Sequence, residues 1–395
     1  MSGLLKMSSP AFTTMLKREW RLLFLDPWLC SLATWVPLVL AVVVCSIFVK
    51  GIARELPIGI IDLDHSQVSR AIIRNLDASP ALQVVQSYPD VLEGAAALRA
   101  GTIYAFVVMP EDLERNTIRG LAPEITAFVN SQFLLIGKVI NSALVQVLST
   151  FNAKVEVKKN LAMGQPVPSA AISSALPIGM QITPLFNVNT NYAQFLVSAI
   201  LPGLWQILIV ALTVLTFAAE NRREGLQAWL ADGPIRACIA KYIPLITIAW
   251  IHGLLFLSGM YIVLGWPMHG SWFVLVLAVF LTSCACVAAG SLFFLVTRDA
   301  ARGLSLSAGF AAPALAFMGV TFPVSNMTLP AKIWRSLIPS SHYIEIQFSQ
   351  VNYGAPFMFV IPQFKALVCY WVLFLVAFAL VTIIAARGKN TEEVV

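Results

Sequence analysis

Charge is what this chain has least of. Only 12% of its 395 residues are Asp, Glu, Lys or Arg, against the roughly 25% usual in soluble domains, while 58% are hydrophobic. That composition excludes a soluble globular protein and points to the membrane. Cysteine is also scarce where it would matter. The six cysteines are Cys30, Cys45, Cys238, Cys284, Cys286 and Cys369, and none lies in the polar stretch 50–193, so a disulfide framework there is excluded. Cys284 and Cys286 sit inside an apolar run and read as small packing residues.

Catalytic and ligand-binding patterns are missing as well. No GxxxxGK[ST] loop occurs, since Gly137-Lys138 and Gly388-Lys389 lack the upstream glycine; the chain should not cradle ATP phosphates itself. The histidines His65, His252, His269 and His342 form no paired ligand motif. Asp62, Asp64 and His65 look like the end of a strand followed by a helix cap. No GxSxG elbow is present. Neither a catalytic residue, a metal site nor a cofactor is expected.

Net charge is +6, yet the 50–159 stretch holds 11 basic and 11 acidic residues and is neutral. The positive excess flanks apolar runs, which favours membrane lipid over nucleic acid as the anionic neighbour.

What is present is a set of long apolar runs, near 28–49, 194–219, 241–264, 272–297, 303–323 and 361–386, each close to the length of about 20 residues that spans a bilayer. The first starts too late to be a cleaved signal peptide and has no small-residue cleavage site. With the N-terminus inside, 12 basic residues fall on the cytoplasmic side: Lys6, Lys17, Arg18, Arg21, Arg222, Arg223, Arg236, Lys241, Arg298, Arg302, Arg387 and Lys389. The opposite short loops hold three, Lys332, Arg335 and Lys365. That bias places both termini in the cytoplasm.

The run 133–151 is a competitor for a further span. It contains Lys138, Asn141 and Gln146, and its apolar residues recur at three and four, so it reads as an amphipathic soluble helix of about 30 residues. The rest of the external stretch alternates strands ("PIGIIDLD", "LQVVQSY", "IYAFVVMP", "EITAFVN") with helices ("SQVSRAIIRNLDA", "PDVLEGAAALRAG"), a compact α/β domain. Pro166, Pro168, Pro177 and Pro184 mark a return linker.

The N-terminal "AFTTMLKREWRLLFLDP" places Phe12, Leu16, Trp20 and Leu23 on one face and Lys17, Arg18 and Arg21 on another, the pattern of a helix lying in the headgroups. Asp26-Pro27 ends it and caps the next helix. The expected fold is therefore an α-helical integral membrane protein with six transmembrane helices and an inserted extracytoplasmic α/β domain. Its segments are an interfacial helix (1–27), a first span (28–49), the α/β domain (50–193), five spans (194–386) and a cytoplasmic tail (387–395).

The spans carry few interior ionisable residues, His252 being the main exception, so an ion-driven relay is not expected. Work would have to come from elsewhere, and "ENRREGLQAWLADGP" (220–234), between two apolar runs, is the candidate contact. Glu220, Arg222, Arg223 and Glu224 read as an exposed charged turn. Leu226, Trp229 and Leu230 read as an apolar ridge able to seat in a partner's cleft.

This layout resembles the permease of type-2 ABC exporters. "PLFNVNTNYAQFLVSAILPG" is similar to the family's "FNP" entry to the second span, retaining Phe186, Asn187 and Pro202-Gly203 but with Val188 in place of the proline. Glu224, Gly225, Leu230 and Pro234 fit the family's coupling loop (220–240), although Leu226 and Ala228 replace the usual Thr and Glu. "FPVSNMTLPAKIWRSLIPSSHYIEI" resembles its outward re-entrant hairpin (324–360) through Phe322-Pro323, Met327, Trp334, Pro339, Tyr343 and Glu345.

The resemblance implies a separate ATPase docked on Glu220, Arg222, Arg223, Glu224, Gly225, Trp229, Leu230 and Pro234, with the helix of Lys17, Arg18, Trp20 and Arg21 beside it. It also implies a second permease copy or paralogue, with Ser305, Ala308, Gly309, Ala312, Ala316 and Gly319 at the dimer seam or along the pathway. A periplasmic adaptor and an outer-membrane channel are further implied partners. The setting would be a bacterial inner membrane and the cargo an amphipathic small molecule or lipid. The competing expectation is a non-transporting receptor or scaffold that uses its external domain.

Overall fold

The computed structural model describes residues 12–392 apart from 50, 52, 120, 122, 163–186, 188–190 and 232. The chain divides into two compact units, one formed by Met1–Gly51 with Leu185–Val395 and the other by Ile52–Pro184. The expected return linker lies outside the described residues.

The first unit is helical. Among the described residues four helices are long and apolar enough to cross a membrane: Tyr192–Arg223, Pro234–Val263, Trp272–Thr297 and Ile361–Arg387. A fifth is available if Pro27–Ala33 and Trp35–Ile47 count as one span bent by 44°. Pro37 explains that bend, because it has no N–H to offer Ala33 and its ring crowds that carbonyl. Asp26 caps the first of the two helices, its Oδ1 accepting from the N–H groups of Trp28 at 3.1 Å and Leu29 at 3.3 Å.

The run expected at 303–323 differs from a continuous span. Helix Ala300–Ala311 stops, and a separate turn, Ala314–Phe317, follows. Pro313 again interrupts the ladder. The hairpin that follows is built from helices Leu329–Ser336 and Pro339–Val351, the second lying against the 192–223 and 272–297 helices. Phe322 and Pro323 lie exposed in the connector that leads into it. The core of this unit is a layer of Trp205, Phe217, Tyr242, Phe294 and small residues of the 272–297 helix.

The second unit carries a four-stranded sheet, β1 (Leu56–Asp62), β2 (Leu82–Ser87), β3 (Ala105–Met109) and β4 (Thr126–Val129), in the order β2-β1-β3-β4. β1 runs parallel to both β2 and β3, and β4 is antiparallel to β3. The parallel pairs are joined through helices Gln67–Asp77 and Val91–Ala100, capped by Ser66 and Asp90. Helix Leu113–Ile118, which the sequence reading did not anticipate, follows β3. The 29-residue helix Leu134–Ala162 buries Ile140, Ala143 and Leu144 in the same core as Ile58, Ile60 and Val107. It is not among the helices apolar enough to span.

Asp62, Asp64 and His65 are occupied as a turn and cap. Asp62 accepts from the N–H groups of Asp64 and His65 and from the Ser69 hydroxyl at 2.9 Å, and Asp64 accepts from the Glu114 N–H at 3.1 Å. Among the described residues no group of three or more metal-ligating side chains is gathered.

Candidate functional site

The 192–223 helix ends in "ENRRE". Arg222 and Arg223 occupy its last turn, where the helix dipole favours positive charge. Glu224 leaves helical geometry, and Gly225 follows at φ 77°, ψ 148°, a region open in practice only to glycine. The chain reverses there into the short helix Leu226–Leu230. Gly233, at φ 124°, turns it again, and Pro234 starts the Pro234–Ser258 helix at a position where its missing N–H costs nothing.

These turns bring charges from three distant segments together. Lys241 donates to Glu19 Oε2 at 2.6 Å and to Glu220 Oε2 at 3.0 Å. Glu19 Oε1 accepts from the Trp229 indole N–H at 3.3 Å, and Glu220 Oε1 accepts from Arg18. Arg18 also reaches Glu224 at 3.2 Å. The Lys241 ammonium sits 4.9 Å from the centre of the Trp229 ring and 5.7 Å from that of Phe217.

Lys241, Glu220 and Glu19 are 1%, 1% and 3% exposed, and Arg18 is 33% exposed. Stripping water from such groups is costly, and here the cost is met by mutual pairing and by aromatic faces. Two carboxylates with one lysine and one arginine make the group neutral. All four carboxylate oxygens of Glu19 and Glu220 are used. The result is a clamp that joins the helix Phe12–Leu25 to the ends of two long helices.

Several sequence expectations change in this light. Glu220 is buried rather than part of an exposed turn, while Arg222, Arg223 and Glu224 remain exposed. Leu226, Trp229 and Leu230 face the bundle core, not outward. Burying that apolar ridge removes far more hydrocarbon from water than a charged turn could, so the outward face is left to Arg222, Arg223, Glu224, Gln227 and Arg236.

On the N-terminal helix the buried face is Met15, Glu19 and Leu23, one turn apart each, rather than Phe12, Leu16, Trp20 and Leu23. Trp20 is half-buried and stacks on Phe24 with ring centres 6.0 Å apart, and Lys17 and Arg21 are exposed. Glu19 and the pairing role of Lys241 were not foreseen. The available signal was a lone acid set four residues from both Met15 and Leu23 on an otherwise basic helix.

Of the small-residue stripe, Ser305, Ala308, Gly309, Ala312 and Ala316 are exposed within the single chain, whereas Gly303, Ser307 and Ala311 form the buried face. Gly319 lies beyond the break, in a turn at φ 86°. In the hairpin, Pro339 opens its helix, Tyr343 is buried 5.8 Å from Trp205, and Glu345 pairs with Arg335.

A family model described as ABC-2 family transporter protein matches residues 27–380. Comparison with curated proteins and with solved structures gave no match.

Proposed function

The chain belongs to the ABC-2 transporter family, a membrane transport subunit without its own ATPase domain that works with a partner ATPase and as a dimer, and from that premise we propose that it is an exporter permease. In this reading the 220–240 loop is the docking element for the ATPase, and both termini lie on the same cytoplasmic side. The membrane part has six spans, the broken 300–317 segment included, and the 52–184 unit stands on the far side of a bacterial inner membrane. The cargo is an amphipathic small molecule or lipid leaving the cytoplasm or the inner leaflet. A periplasmic adaptor and an outer-membrane channel would complete the route.

The observation that carries this reading is the clamp of Glu19, Lys241, Glu220 and Arg18. A loop that receives a push from a partner transmits it only if it is tied rigidly to the elements that must move, and this one is tied by buried charges to two long helices and an interfacial helix. Arg222, Arg223 and Glu224 are exposed at the edge of the clamp, Glu224 through its bond to Arg18, where a partner can reach them. The exposed small-residue face of the 300–311 helix suits close approach of a second copy.

The test is purification of the tagged chain from its native membrane in mild detergent, with mass spectrometry of what accompanies it. A stoichiometric protein bearing a phosphate-binding loop is expected, and a second permease would identify a heterodimer. Its absence, under conditions that keep other membrane complexes intact, would favour the receptor or scaffold reading.

A further inference from the structure

Buried hydroxyls in this bundle mostly satisfy themselves. Thr213, Thr216, Thr282 and Ser283 each donate to the carbonyl four residues earlier in their own helix. One seam departs from that habit. Where the 192–223 helix meets the hairpin helix 339–351 in antiparallel register, Gln206 Oε1 accepts from the Ser340 main-chain N–H at 2.8 Å. Further along, Gln347 Nε2 donates to the Ser198 carbonyl at 3.1 Å and to the Tyr261 hydroxyl at 3.0 Å.

Gln206, Ser340, Ser341 and Gln347 are each 0% exposed. Even so, Gln206 Nε2, Ser340 Oγ, Ser341 Oγ and Gln347 Oε1 have no hydrogen-bond partner. The two remaining orphan atoms among the described residues are Arg335 Nε, in the same hairpin, and Gln363 Oε1, on a side chain bonded to Glu345 of that helix. Unmatched polar atoms are costly anywhere in a protein interior and more so where no water competes. Their concentration on one seam marks a place whose groups are kept for a different partner than the one they face.

We propose that this seam parts during the transport cycle, and that Gln206, Ser340, Ser341 and Gln347 form a step of the path that hydrogen-bonds an uncharged polar group of the cargo. The proposal rests on the exporter reading. The four side chains offer an amide donor, an amide acceptor and two hydroxyls, and none carries charge. The nearest charges of the hairpin, Arg335 and Glu345, are spent on each other. A neutral hydroxyl or amide on an apolar body fits this set, whereas a phosphate or ammonium would find no counter-ion among these four side chains.

The test uses the full chain with its co-purified ATPase in membrane vesicles. The six native cysteines are replaced, and Ser341→Cys is introduced. A membrane-impermeant maleimide then probes the thiol with and without ATP. Ala288→Cys, buried in the 272–297 helix, serves as the control, and Gln347→Cys as a second probe should Ser341→Cys misassemble. At least a tenfold rise in labelling during ATP turnover, with the control silent, is the expected result.

Labelling absent in both states, or equal in both, would overturn the opening step. So would a Gln206→Leu chain carrying the Ser341→Cys probe whose ATP hydrolysis and labelling pattern match those of the probe chain with Gln206 intact. Failure of the exporter reading looks different: the parent chain itself would bring down no ATPase.

Discussion

Near one end of the 192–223 helix, Glu220 shares Lys241 with Glu19, and every carboxylate oxygen in the group has a partner. About 21 Å back along the same helix, at 1.5 Å per residue, Gln206 faces Ser340 with its amide nitrogen unmatched. The first region buries full charges and satisfies them all. The second buries only neutral groups and leaves four of their atoms empty-handed. Charge in a bundle core is tolerable only when paired, so the clamp has a single low-energy arrangement. Neutral amides and hydroxyls can be left unmatched at a smaller penalty, so the seam can exist closed and gain when it meets a new partner. The difference teaches where the molecule is built to hold and where it is built to give.

That contrast can be broken at several points. The largest effect is expected for Lys241→Met, which takes the close cation from buried Glu19 and leaves Glu220 with Arg18 alone, and should cost about 3–5 kcal/mol of stability. Thermal unfolding of the detergent-solubilised protein would read it. Adding Glu19→Gln and Glu220→Gln should restore most of the loss, and an unaltered melting temperature for the single variant would show that the cluster is no clamp.

Next comes Gly225→Ala, where a side chain must adopt φ 77°, ψ 148°. The strain should be of the order of 1–3 kcal/mol. A Cβ there meets no neighbour within 4 Å, so the strain alone acts, and paired with Glu224→Ala the change should reduce ATPase coupling while membrane insertion persists. Normal coupling would detach the loop from the partner.

Arg18→Ala should cost only about 1 kcal/mol, because the arginine is one-third exposed and Glu220 keeps Lys241. Its effect on melting should shrink further in high salt, and a loss as large as that of Lys241→Met would place Arg18 among the buried partners after all. Smallest of all, Ser341→Ala should leave stability unchanged or raise it by up to about 1 kcal/mol, since it deletes an unmatched hydroxyl. Clear destabilisation by that variant would show that the hydroxyl has a partner, and the comparison between clamp and seam would collapse.

Much of this was legible in the residues. The apolar run 272–297 is a helix with those bounds, and the apolar stretches within "PIGIIDLD" and "IYAFVVMP" are seen as β1 and β3. Ser66 caps the helix it precedes, and Asp26 the next helix after it. Each of these follows from periodicity or from a local hydrogen bond, which depend on near neighbours in sequence. Pro313 and Pro37 both mark places where an expected single span is broken or bent.

The site was legible only in outline. The sequence singled out 220–234 because charge is rare elsewhere, and Gly225, Gly233 and Pro234 do shape its turns. It could not say which way the loop faces. Whether Leu226, Trp229 and Leu230 point to a partner or to the core depends on what lies beneath them, and that is Phe217 and the Trp371–Glu392 helix.

By itself, then, the sequence determined the class of the protein, a polytopic membrane chain with a polar α/β segment. Composition and local periodicity suffice for that, because the cost of burying backbone and charge in lipid is paid segment by segment. Only the tertiary structure decided that Glu19, Glu220 and Lys241, separated by up to 222 positions, form one buried group, and that Gln206 and Ser340 meet with atoms to spare. Pairing across such distances is set by how helices pack, and packing is a property of the whole unit.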